Sequence, residues 1–164
     1  MKRLLAALIL FSLLGMGFAI AQTPTPQKDS SVTLHATGPF DVKTTAEDDK
    51  SPDRLLGRYA LDKQYHGDLE AIGVGQMLTA GTHVKGSGAY VAIEKVTGSL
   101  KNSTGSFVLE HMGTMAQNVP QLVITIVPDS GTGDLKGIAG KMIITIAAGG
   151  KHSYDLEYTL SNGD

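Results

Sequence analysis

Residues Gly86–Met115 read GSGAYVAIEKVTGSLKNSTGSFVLEHMGTM. Two runs rich in Val, Ile, Phe and Thr flank a polar centre at Asn102-Ser103, which is the pattern of one long β-hairpin. With Asn102 and Ser103 as the loop, Lys101 faces Thr104, Val96 faces Leu109 and Glu94 faces His111. Side chains alternate along a strand, so Tyr90, Ala92, Glu94 and Val96 share a face with Phe107, Leu109 and His111. The other face carries Val91, Ile93, Lys95, Val108, Glu110 and Met112, with Lys95 opposite Glu110. Opposite charges favour cross-strand positions, so two facing acid–base pairs support this register, and a slip of one residue would undo it.

The rest of the chain repeats the β pattern. Gly is frequent, at 20 residues, and no stretch holds a helical period for three turns. Val32 to Thr45 reads as a first strand, broken or bulged at Gly38-Pro39, and Ala46 to Gly57 as an acidic loop. Arg58 to Ala80 allows two readings. Either two strands turn at His66-Gly67-Asp68, or one long strand runs to Ile72 and turns at Gly73-Val74-Gly75. The second is preferred, because Asp68 to Ala71 continues the alternation from Tyr65. Gln121 to Val127 is an apolar strand ended by Pro128. A Gly-rich connection with one helical turn at Asp134 to Gly137 follows, then a strand over Lys141 to Ala147. A turn at Gly149-Gly150 leads to a final strand, Ser153 to Leu160. About eight antiparallel strands joined by short turns predict an all-β closed barrel, because closure removes exposed edges. A two-sheet β-sandwich is the alternative.

The first 21 residues are expected to lie outside the fold. Lys2-Arg3, the apolar run Leu4 to Phe18 and Ala19-Ile20-Ala21 form a secretory signal cleaved after Ala21. An uncleaved anchor is the competing reading, but the uncharged run of 18 residues is just short of a bilayer span. Residues 22–31 form a Pro-containing linker, and 32–164 form a single domain. The expected destination is periplasmic or secreted. With no Cys there is no thiol chemistry and no thiolate metal site. Removal of Lys2 and Arg3 leaves 12 basic against 16 acidic side chains, a net charge of −4 with no basic stripe, so nucleic acid is not an expected partner.

GRYALDKQYHGDLEAIGVGQML, AYVAIEKVTGSLKNSTGSFVLEHMGTM, VPDSGTGDLKGIAGKM and HSYDLEYTL together resemble the bacterial family called domain of unknown function 3224. The resemblance spans roughly Val32 to Leu160. It implies an eight-stranded antiparallel barrel with a central cavity, similar to the allene oxide cyclase-like barrels of the calycin kind. It implies no activity, because fold does not fix function. Glu94 and His111 fall on the family's Glu and His motif positions, while Glu110 stands where the family often has Gln.

Glu94 and His111 are the candidate catalytic residues, because a carboxylate beside an imidazole can hold or move a proton near neutral pH. The same pair also fits a buried, self-satisfying structural contact. That reading is preferred, since burial alone perturbs titration without implying catalysis. Tyr90, Phe107, Tyr154 and Tyr158 are the candidate ligand-binding residues, as amphipathic or apolar walls of a barrel interior. The five histidines lack metal-ligand spacing, so no metal site and no cofactor are expected. The expected function is to bind a small, largely apolar molecule. An isomerase or cyclase using Glu94 and His111 is one alternative, and a structural or partner-binding envelope protein is another. The outward Val91, Ile93, Val108 and Met112 form an apolar patch that predicts a homo-oligomer.

Overall fold

The computed structural model describes residues 32–47 and 55–161. The export signal and the linker expected over residues 1–31 lie outside them. Nine strands follow in chain order: β1 (Leu34–Ala46), β2 (Leu56–Tyr65), β3 (Leu69–Gly81), β4 (Gly88–Leu100), β5 (Ser103–Ala116), β6 (Val119–Ile126), β7 (Thr132–Gly133), β8 (Ile138–Ile146) and β9 (His152–Leu160). They form one antiparallel sheet in the order β4-β3-β2-β1-β9-β8-β6-β5-β7, and the β4–β5 pairing closes it. The result is an eight-stranded barrel, with the two-residue β7 as an extra strand against Gly105 and Ser106 of β5. The two-sheet alternative is not realised.

The barrel forms because its strands alternate. In β4, Ala92, Glu94, Val96 and Leu100 are buried while Val91, Ile93, Lys95 and Thr97 face outward. In β9, Tyr154, Leu156 and Tyr158 are buried. One end of the interior is filled solid by Tyr65, Leu69, Leu100, Phe107, Leu109, Leu156 and their neighbours. Burial of such side chains is worth about 1.5–3 kcal/mol each, which makes this end the stable half of the molecule.

Several expectations need correction. The central hairpin turns at Lys101-Asn102, not Asn102-Ser103, because Leu100 pairs with Ser103. Lys101 takes a positive φ of 52°, and its N–H donates to Asp68 O at 2.7 Å, so the tip is fixed by the neighbouring β2–β3 turn. The register is therefore displaced by two residues. Glu94 lies opposite Leu109, His111 opposite Ala92, Lys95 opposite Val108 and Glu110 opposite Ile93. A displacement of two keeps every side chain on its expected face. The 58–80 stretch takes the first reading, turning at residues 66–68, and Gly73 to Gly75 sit within β3. β1 passes Gly38-Pro39 without a bulge, in an unbroken ladder with β9 from Leu34 to Phe40. The 134–137 segment is a tight 3₁₀-type turn and not a turn of α-helix, held by Leu135 N–H to Thr132 O at 3.0 Å and Lys136 N–H to Gly133 O at 3.3 Å.

One seam of the barrel is weak. β6 and β8 share a single register pair, Thr125 with Lys141. Beyond it, toward Val119 on one strand and Ile146 on the other, no ladder joins them. This is the end opposite the solid core.

Candidate functional site

The weak seam and the unfilled end of the barrel frame a cavity of about 190 Å³. Its walls are Phe40 and Val42 from β1, Leu61 from β2, Met77 from β3, Tyr90 and Ala92 from β4, Leu122 from β6, and Ile144 and Ile146 from β8. His152 lines it from β9, with its ring tilted on Phe40 at 5.1 Å. The lip is solvent-exposed at Thr44, Leu122 and Ile146, and the depth is buried at Leu61, Ala92, Lys63 and His111. Lys63 and His111 are the polar groups at that depth.

Glu94 holds both of them from behind. It is fully buried. Its Oε2 accepts from Lys63 Nζ at 2.7 Å and from His111 Nε2 at 3.1 Å, and its Oε1 accepts from the Tyr65 hydroxyl at 2.8 Å. Lys63 Nζ also donates to the Tyr65 oxygen at 3.2 Å, and stands 5.2 Å from the centre of the Phe40 ring and 5.6 Å from that of Tyr65. Such cation–ring contacts stabilise a partly desolvated ammonium. Room for the carboxylate comes from β3. A Cβ on Gly73 would collide with Glu94 Oε1, so glycine there serves close approach rather than a turn. Tyr90 lies over Gly113, its register partner, and a Cβ on that glycine would strike the ring.

The electrostatics follow from these contacts. Burial alone raises the Glu94 carboxyl. The hydrogen bond from His111, the charge and hydrogen bond of Lys63, and the charge of His111 outweigh it, and the net shift is downward. Glu94 is therefore ionised and has no proton to give, so Nε2 carries the hydrogen of the His111 contact. In the neutral imidazole this leaves Nδ1 as a free lone pair, and no group among the described residues bonds it. Burial, then the charge and hydrogen bond of Glu94, push the Tyr65 phenol far above its ordinary value, so it stays a neutral donor.

The sequence candidates divide between the two halves of the interior. Glu94 and His111 come together through the hydrogen bond above, and Tyr90 is on the cavity wall with His111. Phe107, Tyr154 and Tyr158 are in the solid half and not along the cavity. The Tyr154 hydroxyl is used by the fold: it donates to His66 O at 3.0 Å and accepts from Leu69 N–H at 2.8 Å. Lys63 and Tyr65 are absent from the sequence candidates. The signal for them was alternation in Tyr59-Ala60-Leu61-Asp62-Lys63-Gln64-Tyr65, which puts a lysine on the inward face between Leu61 and Tyr65. Among the described residues no three His, Cys, Asp or Glu side chains cluster as metal ligands.

The fold and site define a closed antiparallel barrel with an apolar mouth and an ionised, hydrogen-bonded floor. The family described as "Protein of unknown function (DUF3224)" matches residues 36–158, and the chain belongs to it. The crystal structure of a DUF3224 protein of unknown function from Shewanella oneidensis MR-1 is similar, with 44% identity and a TM-score of 0.76. That similarity covers 80% of this chain and 100% of the other. Comparison with curated proteins finds no match.

Proposed function

We propose that this protein binds a small, largely apolar molecule in the mouth of the barrel, oriented by His111, Lys63 and Tyr90. The observation that carries the reading is the cavity itself, apolar on its walls and polar only at its depth. That is the arrangement of ligand sites, where a few placed polar groups fix orientation. Its volume of about 190 Å³ is below the usual ligand-site range of roughly 300–1,000 Å³ and close to the roughly 150 Å³ cavity that admits benzene. The ligand is thus on the order of ten non-hydrogen atoms or fewer. Entry is between β6 and β8, where the ladder is missing. Mass spectrometry of the denatured protein tests this: a small molecule is released from the native chain and is lost in Ile144→Trp, which fills the mouth. An empty native protein, together with no shift of cavity-lining resonances on adding small apolar compounds, would sink the idea.

A second reading is supported by one observation. Nε2 of His111 is fixed by a buried carboxylate while Nδ1 is unpaired, the arrangement that orients a general base. In that reading the protein isomerises or cyclises its ligand by proton transfer. Glu94→Gln would then abolish turnover while ligand binding persists; unchanged turnover would exclude it. Export belongs to the same proposal and is supported by residues 1–21 of the sequence. N-terminal sequencing of the protein recovered from its native compartment is expected to begin at Gln22.

A further inference from the structure

We propose that the cavity takes its ligand as a small apolar carboxylate, and that His111 takes up one proton as the carboxylate enters. This rests on the reading of the barrel mouth as a ligand site.

Charge balance at the cavity floor carries the argument. Glu94 and Lys63 form a buried pair with Nζ and Oε2 2.7 Å apart, and together they sum to zero. A carboxylate added to that pair would be an uncompensated buried charge, which is costly. One further cation is needed beside it. The titratable groups facing His111 are Glu94 and Tyr90 on β4 and Lys63 and Tyr65 on β2, with His152 across the cavity on β9. The lining from β1, β3, β6 and β8 is Phe40, Val42, Thr44, Met77, Leu122, Ile144 and Ile146, none of which titrates. His152 is near the lip and half-buried, whereas His111 is at the depth beside Lys63, with Nε2 held 3.1 Å from Glu94 Oε2 and Nδ1 unpaired. His111 is therefore the group that supplies the charge.

The donors also fit. Lys63 has three N–H groups and uses two, on Glu94 and Tyr65. Protonation converts Nδ1 of His111 from an acceptor into a donor. Lys63 and protonated His111 then offer one hydrogen bond each to the two oxygens of a carboxylate, and four charges cancel: Lys63 and His111 against Glu94 and the ligand. A neutral alcohol of the same length needs no proton, because unprotonated Nδ1 accepts its hydroxyl hydrogen.

Titration of the mature chain with hexanoate and with 1-hexanol, followed by amide chemical shifts of the lining residues, tests both parts. From about pH 6 to about pH 9 the hexanoate affinity is expected to fall, by up to about tenfold per unit, while 1-hexanol affinity stays level. His111→Gln, which keeps an N–H toward Glu94 but takes up no proton, should flatten the hexanoate profile. Hexanoate binding that is level with pH overturns the proton uptake. Preference for 1-hexanol at the acid end overturns the carboxylate class while the ligand-site reading stands. If neither compound moves the lining resonances at any pH, both fail together. The two native titrations decide the matter even where the variant does not fold.

Discussion

His111 and Glu94 share a 3.1 Å hydrogen bond across a hairpin in which they are not opposite one another. Glu94 faces Leu109 and His111 faces Ala92, so the contact runs diagonally over two residues. Diagonal neighbours on one face of a sheet are within reach of long side chains. The small Ala92 opposite His111 leaves the imidazole free to lean toward the carboxylate. The same carboxylate oxygen takes Lys63, so one atom ties β2, β4 and β5 together.

Removing the anion should therefore hurt more than removing a cation–anion pair. Glu94→Gln leaves the Lys63 ammonium buried and unbalanced, and about 3 kcal/mol of unfolding free energy is expected to be lost. Lys63→Met in the same chain relieves that imbalance. The double variant should be more stable than the sum of the single losses predicts, by about 1–3 kcal/mol. Urea unfolding of the four proteins of the cycle measures the difference, and strict additivity would show that the pair is not coupled.

The pH dependence of stability has a definite sign at each end. The Glu94 carboxyl is lowered in the folded protein, against burial, by His111 and Lys63. Its contribution is present above the unfolded value of about 4.3 and is lost as pH falls through the folded value. Tyrosines act at the other end. Burial, with Glu94 beside it, raises Tyr65, and burial pushes Tyr154 up to about 12. Folding then favours the protonated phenols, so their contribution is complete below about pH 10 and is lost as pH rises beyond it. Unfolding at stepped pH should show a plateau bounded by a fall below about pH 4.3 and a second fall above about pH 10. Stability that holds level well past pH 10 would contradict the alkaline limb.

Gly73 provides a test of how tightly the floor is packed. A methyl group there meets Glu94 Oε1 and approaches Tyr65 Cε2 at 3.2 Å. Gly73→Ala is expected to cost about 1–3 kcal/mol by overpacking. In a Glu94→Ala background the first of those collisions disappears, so the cost of the same substitution should shrink. An equal cost in both backgrounds would place its origin in the strand backbone rather than in the carboxylate.

These glycines also explain where the sequence misleads. Gly73-Val74-Gly75 has the composition of a turn, and alternation continues through Asp68 to Ala71, so the long-strand reading is the natural one. Gly73 is small because the Glu94 carboxylate lies against it, a contact 21 residues away in sequence, and Gly75 because the β4 backbone at Ile93 does, and no local signal announces either. The hairpin illustrates the complementary point. Period-two alternation places Tyr90, Glu94, Phe107 and His111 on the inward face and says nothing about a slip of two residues. The tie was decided by Lys101 N–H reaching Asp68, which belongs to another turn. Fold class, closure and half of the polar floor were thus legible, whereas Lys63 and Tyr65, on the inward face of β2 by alternation, meet Glu94 only through pairing across β3.

The outer face of the same hairpin carries the last prediction. Leu78, Val91, Met112 and Val123 are successive register partners across β3, β4, β5 and β6, each more than half exposed, and they make one apolar row. Ile93 adds to it, whereas Val108 is half-buried. Beside the row, Lys95 and Glu110 face outward, and neither forms an ion pair among the described residues. A second copy of this chain, docked face to face about a two-fold axis, would cover the row and bring each Lys95 to the other copy's Glu110, as isologous contacts allow. Twice the chain mass is expected in light scattering at micromolar concentration. Met112→Glu should halve it. Lys95→Glu should weaken the dimer, and adding Glu110→Lys should restore it, because the charges are then exchanged rather than lost. A native chain that scatters as a monomer under these conditions would leave the row without this partner.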